Sequence, residues 1–367
     1  MLAELTINHL RNISALSLTP SSGINLLLGG NGSGKTSLLE AIHLLALGRS
    51  FRTRSLKNVV QHQHKQMRVT GKIACHQMPV GLQYSPEKRL EIRLNNAPLK
   101  KLSELAVELP LQFIPANCHQ FFEQGPKYRR QFLDWGLFHV EPSFNYHWQS
   151  YKKVIQQRNS AIRQYKKIEE IALWDKHLIF HGNEINRQRL NRLEILLVEF
   201  ADIFPSLCPD YSNQDFSLKY RTGWAKELSL QEAIGLTVLR DKQLGYTRSG
   251  PHAADWSFKV GGYDPAEVFS RGQQKLFFVA LCIAQIKTTQ QENTKSILLI
   301  DDISSELDTE HQKIILETLS QLKVQTFITS TDKSLSDLIK NEGLHSVFHV
   351  EQGALVQNKE FTTNLAI

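Results

Sequence analysis

The spacing of apolar and polar positions predicts strands and one helix in the first part of the chain. Residues 2–7 alternate as a strand, and residues 13–18 give a second one. Residues 24–28 form a continuous apolar run, which is typical of a strand buried on both faces. The apolar positions of residues 37–47 recur at helical spacing, and residues 67–94 contain three short β-prone runs. This order predicts an α/β domain.

The middle of the chain has the apolar spacing of helices, and the last third again has the α/β pattern of the first part. Residues 145–204 carry apolar positions that predict two or three antiparallel helices forming a compact arm. Residues 297–300 are again a continuous apolar run that suits a central parallel strand. We therefore predict an α/β head, a mixed sheet flanked by helices, with an inserted mostly helical lobe. The predicted boundaries are 1–115 and 246–367 for the head and 116–245 for the lobe.

A glycine-rich stretch between the strand at 24–28 and the following helix fits the pattern G-x-x-x-x-G-K-[ST]. Backbone N–H groups at a helix N-terminus wrap phosphates, a lysine adds charge for the outer phosphates, and a hydroxyl can ligate Mg²⁺. The strand before it and the helix after it favour a phosphate loop over a chance glycine-rich turn. The stretch is Gly29, Gly30, Asn31, Gly32, Ser33, Gly34, Lys35 and Thr36. It predicts a nucleoside triphosphate bound with Mg²⁺.

Two aspartates directly follow the apolar run at 297–300. Ligands of open α/β sheets gather at the carboxyl ends of strands, so these carboxylates should lie near the phosphate loop. Asp301 is predicted to hold Mg²⁺ together with Thr36. Asp302 is predicted to orient or deprotonate the attacking water, which makes Asp302 and Lys35 the candidate catalytic residues.

A third segment, Ser270-Arg271-Gly272-Gln273, opens an apolar helix. A helix N-terminus is a potential anion site, although a serine N-cap alone gives most of this pattern. The order of phosphate loop, Ser-x-Gly-Gln and strand with Asp-Asp resembles the ABC-type ATPase head. That resemblance implies ATP as the nucleotide. It also implies that Ser270, Gly272 and Gln273 of one subunit close on the ATP held by the other.

Composition and charge narrow the function classes. The 367 residues carry 43 lysines and arginines against 36 acidic residues, a net charge of +7 that suits a polyanionic partner. No apolar run approaches the roughly 18–20 residues that cross a bilayer. The four cysteines form no C-x-x-C pair, which indicates thiols in a reducing compartment. We expect a cytoplasmic protein without a membrane partner.

Several further segments make the chain similar to the RecF family of bacterial gap-repair ATPases, and the resemblance extends over nearly the whole chain. The most characteristic segments are the one after the phosphate-loop helix and the Gly-Pro-His motif. The segments are His9-Leu10-Arg11-Asn12, Gly48-Arg49-Ser50-Phe51-Arg52, Gly125-Pro126-Lys127-Tyr128-Arg129-Arg130, Gly250-Pro251-His252 and Phe348-His349-Val350-Glu351. The chain departs from the family pattern at Ala253-Ala254 and at Ala116-Asn117-Cys118.

The resemblance implies an ATP-dependent homodimer that binds double-stranded DNA and single-strand gap junctions. It further implies work with RecR and RecO, and indirectly with RecA, in DNA repair and replication. Arg11 and Asn12 join the nucleotide site by the same resemblance. Many ABC ATPases place a switch histidine in the region of Thr329 to Asp332, and this segment contains no histidine, so we expect slow hydrolysis. The family resemblance implies that this hydrolysis depends on DNA. The predicted DNA contacts are Arg52, Arg54, Lys127, Arg129 and Arg130.

Two other functions fit part of the pattern. The chain could be the nucleotide-binding subunit of an ABC transporter. The helical insertion, the basic balance, and Asp302 where transporters usually carry glutamate argue against that function. A purely structural bridge between repair proteins is the second alternative, and it would not require a base such as Asp302.

Overall fold

The structure is a computed structural model that describes residues 1–290, 296–322, 324–339 and 345–356. The strands are β1 Leu2–Leu10, β2 Ile13–Leu18, β3 Ile24–Leu28, β4 Met67–Ile73, β5 Met78–Ser85, β6 Arg89–Leu94, β7 Ala97–Pro98, β8 Leu111–Ile114, β9 Phe216–Arg221, β10 Asp255–Val260, β11 Ile297–Ile300, β12 Gln325–Ser330, β13 Ser346–Glu351 and β14 Ala354–Val356. The helices are α1 Lys35–Leu47, α2 Leu102–Glu108, α3 Gln120–Glu123, α4 Pro126–Val140, α5 Phe144–Arg163, α6 Ile168–Ala172, α7 Asp175–Leu207, α8 Leu230–Leu244, α9 Pro265–Val268, α10 Arg271–Gln290, α11 Thr309–Gln321 and α12 Leu335–Ile339.

A largely parallel sheet positions the predicted site. Its strand order is β14-β13-β3-β12-β11-β8, and only β14 runs antiparallel to its neighbour. All residues of β3, β11 and β12 are buried, which explains the continuous apolar runs in the sequence. Because β3, β12, β11 and β8 are parallel, their carboxyl ends meet at one edge. The segments that follow these strands are therefore brought together there.

A second sheet is antiparallel, with the order β2-β1-β4-β5-β6-β7. Its strands carry the alternation expected of a sheet with one buried face; β4, for example, buries Met67, Val69 and Ile73, which lie an even number of positions apart. Helix α1 packs in one hydrophobic core with residues of both sheets. The α/β head predicted from the sequence is confirmed.

The chain divides into two compact units, which we call the head unit and the lobe unit. The head unit is Met1–Asn117 with Asn293–Ile367, and the lobe unit is Cys118–Glu292. The sequence placed residues 246–292 in the head, and the structure corrects this boundary. These residues belong to the lobe because β10 pairs with β9 over six residue pairs and because α10 packs along α7. Pairing with residues far away in the sequence is not visible in the local pattern.

The lobe unit is built around α7, a helix of 33 residues that packs against α5 and α10. The predicted antiparallel helices are α5 and α7, with the short α6 between them. Cys118, Cys208 and Cys282 are buried free thiols, and Cys75 is an exposed one. In the part of the chain that the structure describes, no helix is long and apolar enough to cross a membrane.

Candidate nucleotide site

The phosphate loop lies between the buried strand β3 and helix α1, as the sequence predicted. Gly32 and Gly34 have φ angles of 75° and 117°, a region that side chains with a Cβ rarely adopt. A Cβ on Gly30 or Gly32 would meet no atom within 4 Å, so the loop presents bare backbone to open space. By contrast, a Cβ on Gly29 would collide with the carbonyl oxygen of Val350. The loop therefore has open space beside Gly30 and Gly32 and close packing at Gly29.

Lys35 lies at the start of α1, and its side chain bends back over the loop. The ammonium group donates to the carbonyl oxygens of Gly29 at 2.6 Å and Gly30 at 2.8 Å. Burial lowers the pKa of Lys35, and the carboxylates of Asp302 and Asp301 oppose that shift. The cation is held by neutral oxygens that a phosphate could replace.

The two aspartates lie at the carboxyl end of β11, next to the loop. Oδ1 of Asp301 accepts hydrogen bonds from the hydroxyl of Thr36 and from the hydroxyl of Thr329, both at 2.9 Å. The hydroxyl of Ser304 donates to Oδ1 of Asp302 at 3.0 Å. Asp302 has a φ of 50°, which is uncommon for a residue with a side chain. Backbone strain of this kind clusters at functional sites.

Thr329 is a residue of this site to which the sequence pattern gave no individual role. Its hydroxyl donates to Asp301 and accepts from the backbone N–H of Asp302 at 2.7 Å. One hydroxyl therefore holds both acids in place. The signal in the sequence was a polar residue at the carboxyl end of the buried strand β12, where ligands of such sheets gather.

The turn between β1 and β2 completes one wall of the site. The side-chain amide of Asn12 donates to the carbonyl oxygen of Gly32 at 3.0 Å. Its oxygen accepts from the hydroxyl of Ser37 at 2.9 Å. The guanidinium of Arg11 lies at the rim and is bound to Glu40 of α1. Both residues lie beside the phosphate loop.

These segments enclose an open pocket of about 730 Å³ in the head unit, within the size range of small-molecule sites. The lining residues are Arg11, Asn12, Asn31, Gly32, Ser33, Gly34, Lys35, Thr36, Ser37, Arg52, Ala116, Asp301, Asp302, Thr329 and Thr331. Glycine backbone and a lysine suit phosphate groups, and the oxygens of Thr36 and Asp301 suit Mg²⁺. Among the described residues, no group of three or more His, Cys, Asp or Glu side chains could hold a metal. Mg²⁺ commonly binds through one or two carboxylates plus substrate phosphates, so the pocket fits ATP with Mg²⁺.

The Ser-x-Gly-Gln segment belongs to the lobe unit, at the N-terminus of α10. Ser270 and Gln273 form a reciprocal cap. The N–H of Ser270 donates to Oε1 of Gln273 at 3.0 Å, and the N–H of Gln273 donates to the hydroxyl of Ser270 at 3.3 Å. Ser270 is exposed and Gly272 is partly exposed. The structure thus places this segment on a different unit from the pocket residues.

The predicted DNA-contacting residues divide into two groups. Arg52, Arg54 and Lys127 are exposed. Arg129, in contrast, forms two hydrogen bonds to the carboxylate of Asp255, at 2.8 and 3.0 Å. Arg130 donates to the carbonyl oxygen of Ala254. For Arg129 and Arg130 the structure shows a role inside the lobe unit, and DNA contact by any of the five stays a prediction.

Comparison with known proteins gives the same picture over nearly the whole chain. The family described as "RecF/RecN/SMC N terminal domain" matches residues 1–355. The protein named DNA replication and repair protein RecF of Pseudoalteromonas translucida is 38% identical over 97% of this chain and 99% of its own. The RecF of Azotobacter vinelandii is 38% identical over 98% and 99%, respectively.

Solved structures agree with this assignment. A structure of the recombination mediator protein RecF with ATP superimposes with a TM-score of 0.82 and 26% identity, covering 97% of this chain and 96% of that one. An Smc head bound to the C-winged helix domain of ScpA has a TM-score of 0.60 at 15% identity, with coverage of 96% and 95%, and shares the fold. The chain belongs to the RecF family of DNA replication and repair proteins, which are built on an ATPase head of the SMC type.

Proposed function

We propose that this protein is an ATP-dependent DNA-binding protein of recombinational gap repair. The observation that carries this proposal is the pocket of the head unit. There, Lys35, Thr36 and Asp301 meet at one sheet edge, with the hydroxyl of Thr36 2.9 Å from the carboxylate of Asp301. Lys35 and the loop backbone bind the phosphates, Thr36 and Asp301 hold Mg²⁺, and Asp302 orients or deprotonates the water.

The relatives support the finer parts of the proposal. A solved relative is described as RecF with ATP in the RecFOR pathway. We therefore infer cooperation of this chain with RecR and RecO, and indirectly with RecA, on double-stranded DNA and at single-strand gap junctions. A match over 97% of the chain to RecF relatives favours this function over that of a transporter subunit.

We further propose that ATP joins two copies into a dimer with shared sites. Ser270, Gly272 and Gln273 lie at the N-terminus of a helix of 20 residues, where the helix dipole and N–H groups that have no partner within the helix ladder favour an anion. The cap between Ser270 and Gln273 uses weak neutral bonds, which a phosphate of the partner's ATP would replace. Hydrolysis is slow and DNA-dependent, and it serves to time the release of DNA.

Duplex binding measured with and without ATP across a salt series tests the proposal. With ATP the protein should bind duplexes of unrelated sequence, and the affinity should fall as salt rises. Lys35→Ala should lose ATP binding, DNA binding and turnover, whereas Asp302→Asn should keep both kinds of binding and lose turnover. Equal DNA binding without ATP would refute the dependence of DNA binding on ATP, and normal turnover of Asp302→Asn would remove that residue from the chemistry.

A mixing experiment tests the shared site. Lys35→Ala spoils the site on its own chain, and Ser270→Arg spoils the site on its partner. Each homodimer then lacks an intact site, but a mixed dimer contains one. Mixing the two inactive proteins should therefore restore some ATP hydrolysis, and the gain should depend on concentration. A mixture that stays inactive although mixed dimers form would mean either that the site is not shared or that both sites of a dimer must be intact for turnover.

A further inference from the structure

We propose that Glu40 is a positioning residue of the nucleotide pocket, which fixes the cation of Arg11 at the pocket rim. This inference rests on the proposed function, because it assigns a task at the same ATP site. Glu40 lies in the middle of α1, and its side chain has no exposed surface. A buried carboxylate is strongly unfavourable unless cations and hydrogen-bond donors surround it. Its partners therefore reveal what it holds.

Arg11 is the tightest partner of this carboxylate. Nε of Arg11 lies 2.9 Å from Oε2 of Glu40, and Nη2 lies 2.8 Å from Oε1, the paired geometry of a guanidinium on a carboxylate. Nη1 donates to the carbonyl oxygen of Asn58 at 2.6 Å. These three contacts use every nitrogen of the guanidinium, so the side chain is fixed in one orientation. Arg11 also has a φ of 53°, in the left-handed region, and its N–H donates to the carbonyl oxygen of Val59 at 2.8 Å.

The same carboxylate organises the basic segment that follows α1. The hydroxyl of Ser50 donates to Oε1 of Glu40. Ser50 in turn accepts from the backbone N–H groups of Arg52 at 2.9 Å and Thr53 at 3.1 Å. The guanidinium of Arg52 lies 3.8 Å from Oε2 of Glu40. The side chain of Arg52 is 46% exposed, whereas that of Arg11 is 22% exposed. Arg52 is thus held loosely, while Arg11 alone already pairs with the carboxylate.

This arrangement has a consequence for ligand binding. Arg11 and Arg52 both line the pocket that contains the phosphate loop. Asp301 and Asp302 bring two negative charges to that pocket, and a polyphosphate brings more. A cation fixed at the rim, as Arg11 is, therefore favours a nucleotide, because a fixed guanidinium loses less entropy on binding than a mobile one. Without Glu40 the guanidinium of Arg11 would remain charged but would lose the partner that fixes its orientation at the pocket.

The test compares Glu40→Gln with Glu4→Gln in the full-length protein. Glutamine keeps the shape of Glu40 but cannot pair with a guanidinium as an anion. Glu4 is the matched control, since its carboxylate pairs with Lys72 at 2.8 Å on the antiparallel sheet and lines no part of this pocket. We expect Glu40→Gln to raise the Kd for ATP about tenfold, the loss typical of a charged hydrogen-bond partner, with a matching rise in KM and little change in kcat. Glu4→Gln should change none of these values.

A double-mutant cycle separates positioning from a general loss of structure. If Glu40 acts through Arg11, the variant Arg11→Ala with Glu40→Gln should bind ATP no more weakly than Arg11→Ala alone. Losses that simply add would overturn the proposal. If Glu40→Gln does not fold, Glu40→Asp is used instead, because aspartate keeps the charge but has a shorter side chain. We expect Glu40→Asp to raise the Kd for ATP by less than about tenfold. Unchanged ATP affinity of the folded Glu40 variant would also overturn it.

The outcome for the unsubstituted protein distinguishes this inference from the proposed function. If that protein does not bind ATP, or if Lys35→Ala binds as tightly, the nucleotide site itself is refuted, and the inference with it. If ATP binding depends on Lys35 but not on Glu40, only the role of Glu40 is refuted.

Discussion

The head unit and the lobe unit both contain ion pairs and short glycine motifs, but they use these features differently. In the lobe unit, the fully buried Arg189 forms two hydrogen bonds of 2.8 Å with Asp134, and its third nitrogen donates to the carbonyl oxygen of Pro251 at 2.6 Å. In the pocket of the head unit, the ammonium group of Lys35 donates to carbonyl oxygens of its own loop. The lobe cation is matched by a charge of the fold, whereas the pocket cation has neutral partners that a ligand can displace.

The two glycine motifs differ in the same way. In the lobe unit, the histidine of the Gly-Pro-His motif is hydrogen-bonded to other residues of the same unit. Nε2 of His252 faces the carbonyl oxygen of Thr247 at 3.0 Å and therefore carries the hydrogen, so that Nδ1 accepts from the hydroxyl of Tyr151 at 2.7 Å. The phosphate loop, in contrast, presents backbone to open space. A motif typical of a family can thus be a ligand site or an internal packing element, and the partners of its polar groups decide which.

The largest effect should come from breaking the buried pair of the lobe. Arg189→Met leaves Asp134 without its cation and should lower the free energy of unfolding by about 3–5 kcal/mol. Denaturant unfolding of the full chain measures this. Arg187→Met is the matched control, because Arg187 is an exposed residue paired with Glu184 on the same helix, and it should change stability by less than about 1 kcal/mol. Equal stability of the two variants would contradict the contrast between the units.

The pH dependence of stability should reveal the closed Gly-Pro-His motif. Burial lowers the pKa of His252 to about 4, from an ordinary value of 6.5. Between these values the unfolded chain binds a proton that the folded chain does not, so stability is lost as pH falls from 6.5 toward 4. The slope is about 1.4 kcal/mol per pH unit for one histidine, or about 2 kcal/mol between pH 6 and 4.5.

Substitution isolates this contribution. His252→Phe should reduce the slope of unfolding free energy against pH by that amount, whatever its stability at pH 7. His62→Phe, at an exposed histidine, should leave the slope as it is. His43 and His139 have pKa values lowered to about 4 by burial as well, so a residual slope is expected. An unchanged slope in His252→Phe would show that the motif is open to water.

The pocket should respond in chemistry more than in stability. Thr329→Val removes the hydroxyl that joins Asp301 to the backbone of Asp302, and we expect kcat for ATP hydrolysis to fall about tenfold while the Kd for ATP stays within about threefold. Thr318→Val, which removes a hydroxyl that donates to the carbonyl oxygen of Ile314 within α11, is the control. Turnover of Thr329→Val at the unsubstituted rate would show that the two acids do not need this link.

The smallest effect concerns the exposed arginines. If Arg54 contacts DNA phosphate, Arg54→Ala should lower the slope of log affinity against log salt by about 0.9 and weaken all duplexes alike. Arg129→Ala should instead lower stability, because Arg129 is paired with Asp255. Filter binding across a salt series measures the slope, and denaturant unfolding measures the stability. An unchanged slope for Arg54→Ala would mean that this side chain only interacts with solvent.

Local sequence was enough to predict the position of the phosphate loop and of the two aspartates, Asp301 and Asp302. Gly29 to Thr36 need only a buried strand before them and a helix after them, and both follow from the spacing of apolar residues. The structure divides the chain at a different place from the predicted second boundary, because β10 joins β9 across 33 intervening residues and local spacing carries no information about such pairing. Arg129 and Arg54 both lie in basic segments of the sequence. The difference between them is visible only in the tertiary structure, where Arg129 is paired with Asp255.

By itself, the sequence of this protein determined the order of its elements and the residue types of its candidate nucleotide site, since helix and strand periods and the loop motif are local properties. Only the tertiary structure decided which charges face each other. Glu40 and Thr329 are ordinary residues in the sequence, and they become central because α1 and β12 bring them next to Arg11 and Asp301. Hydrogen bonds and ion pairs act over a few ångströms, and residues 29 and 28 positions apart in the chain reach that distance only through folding.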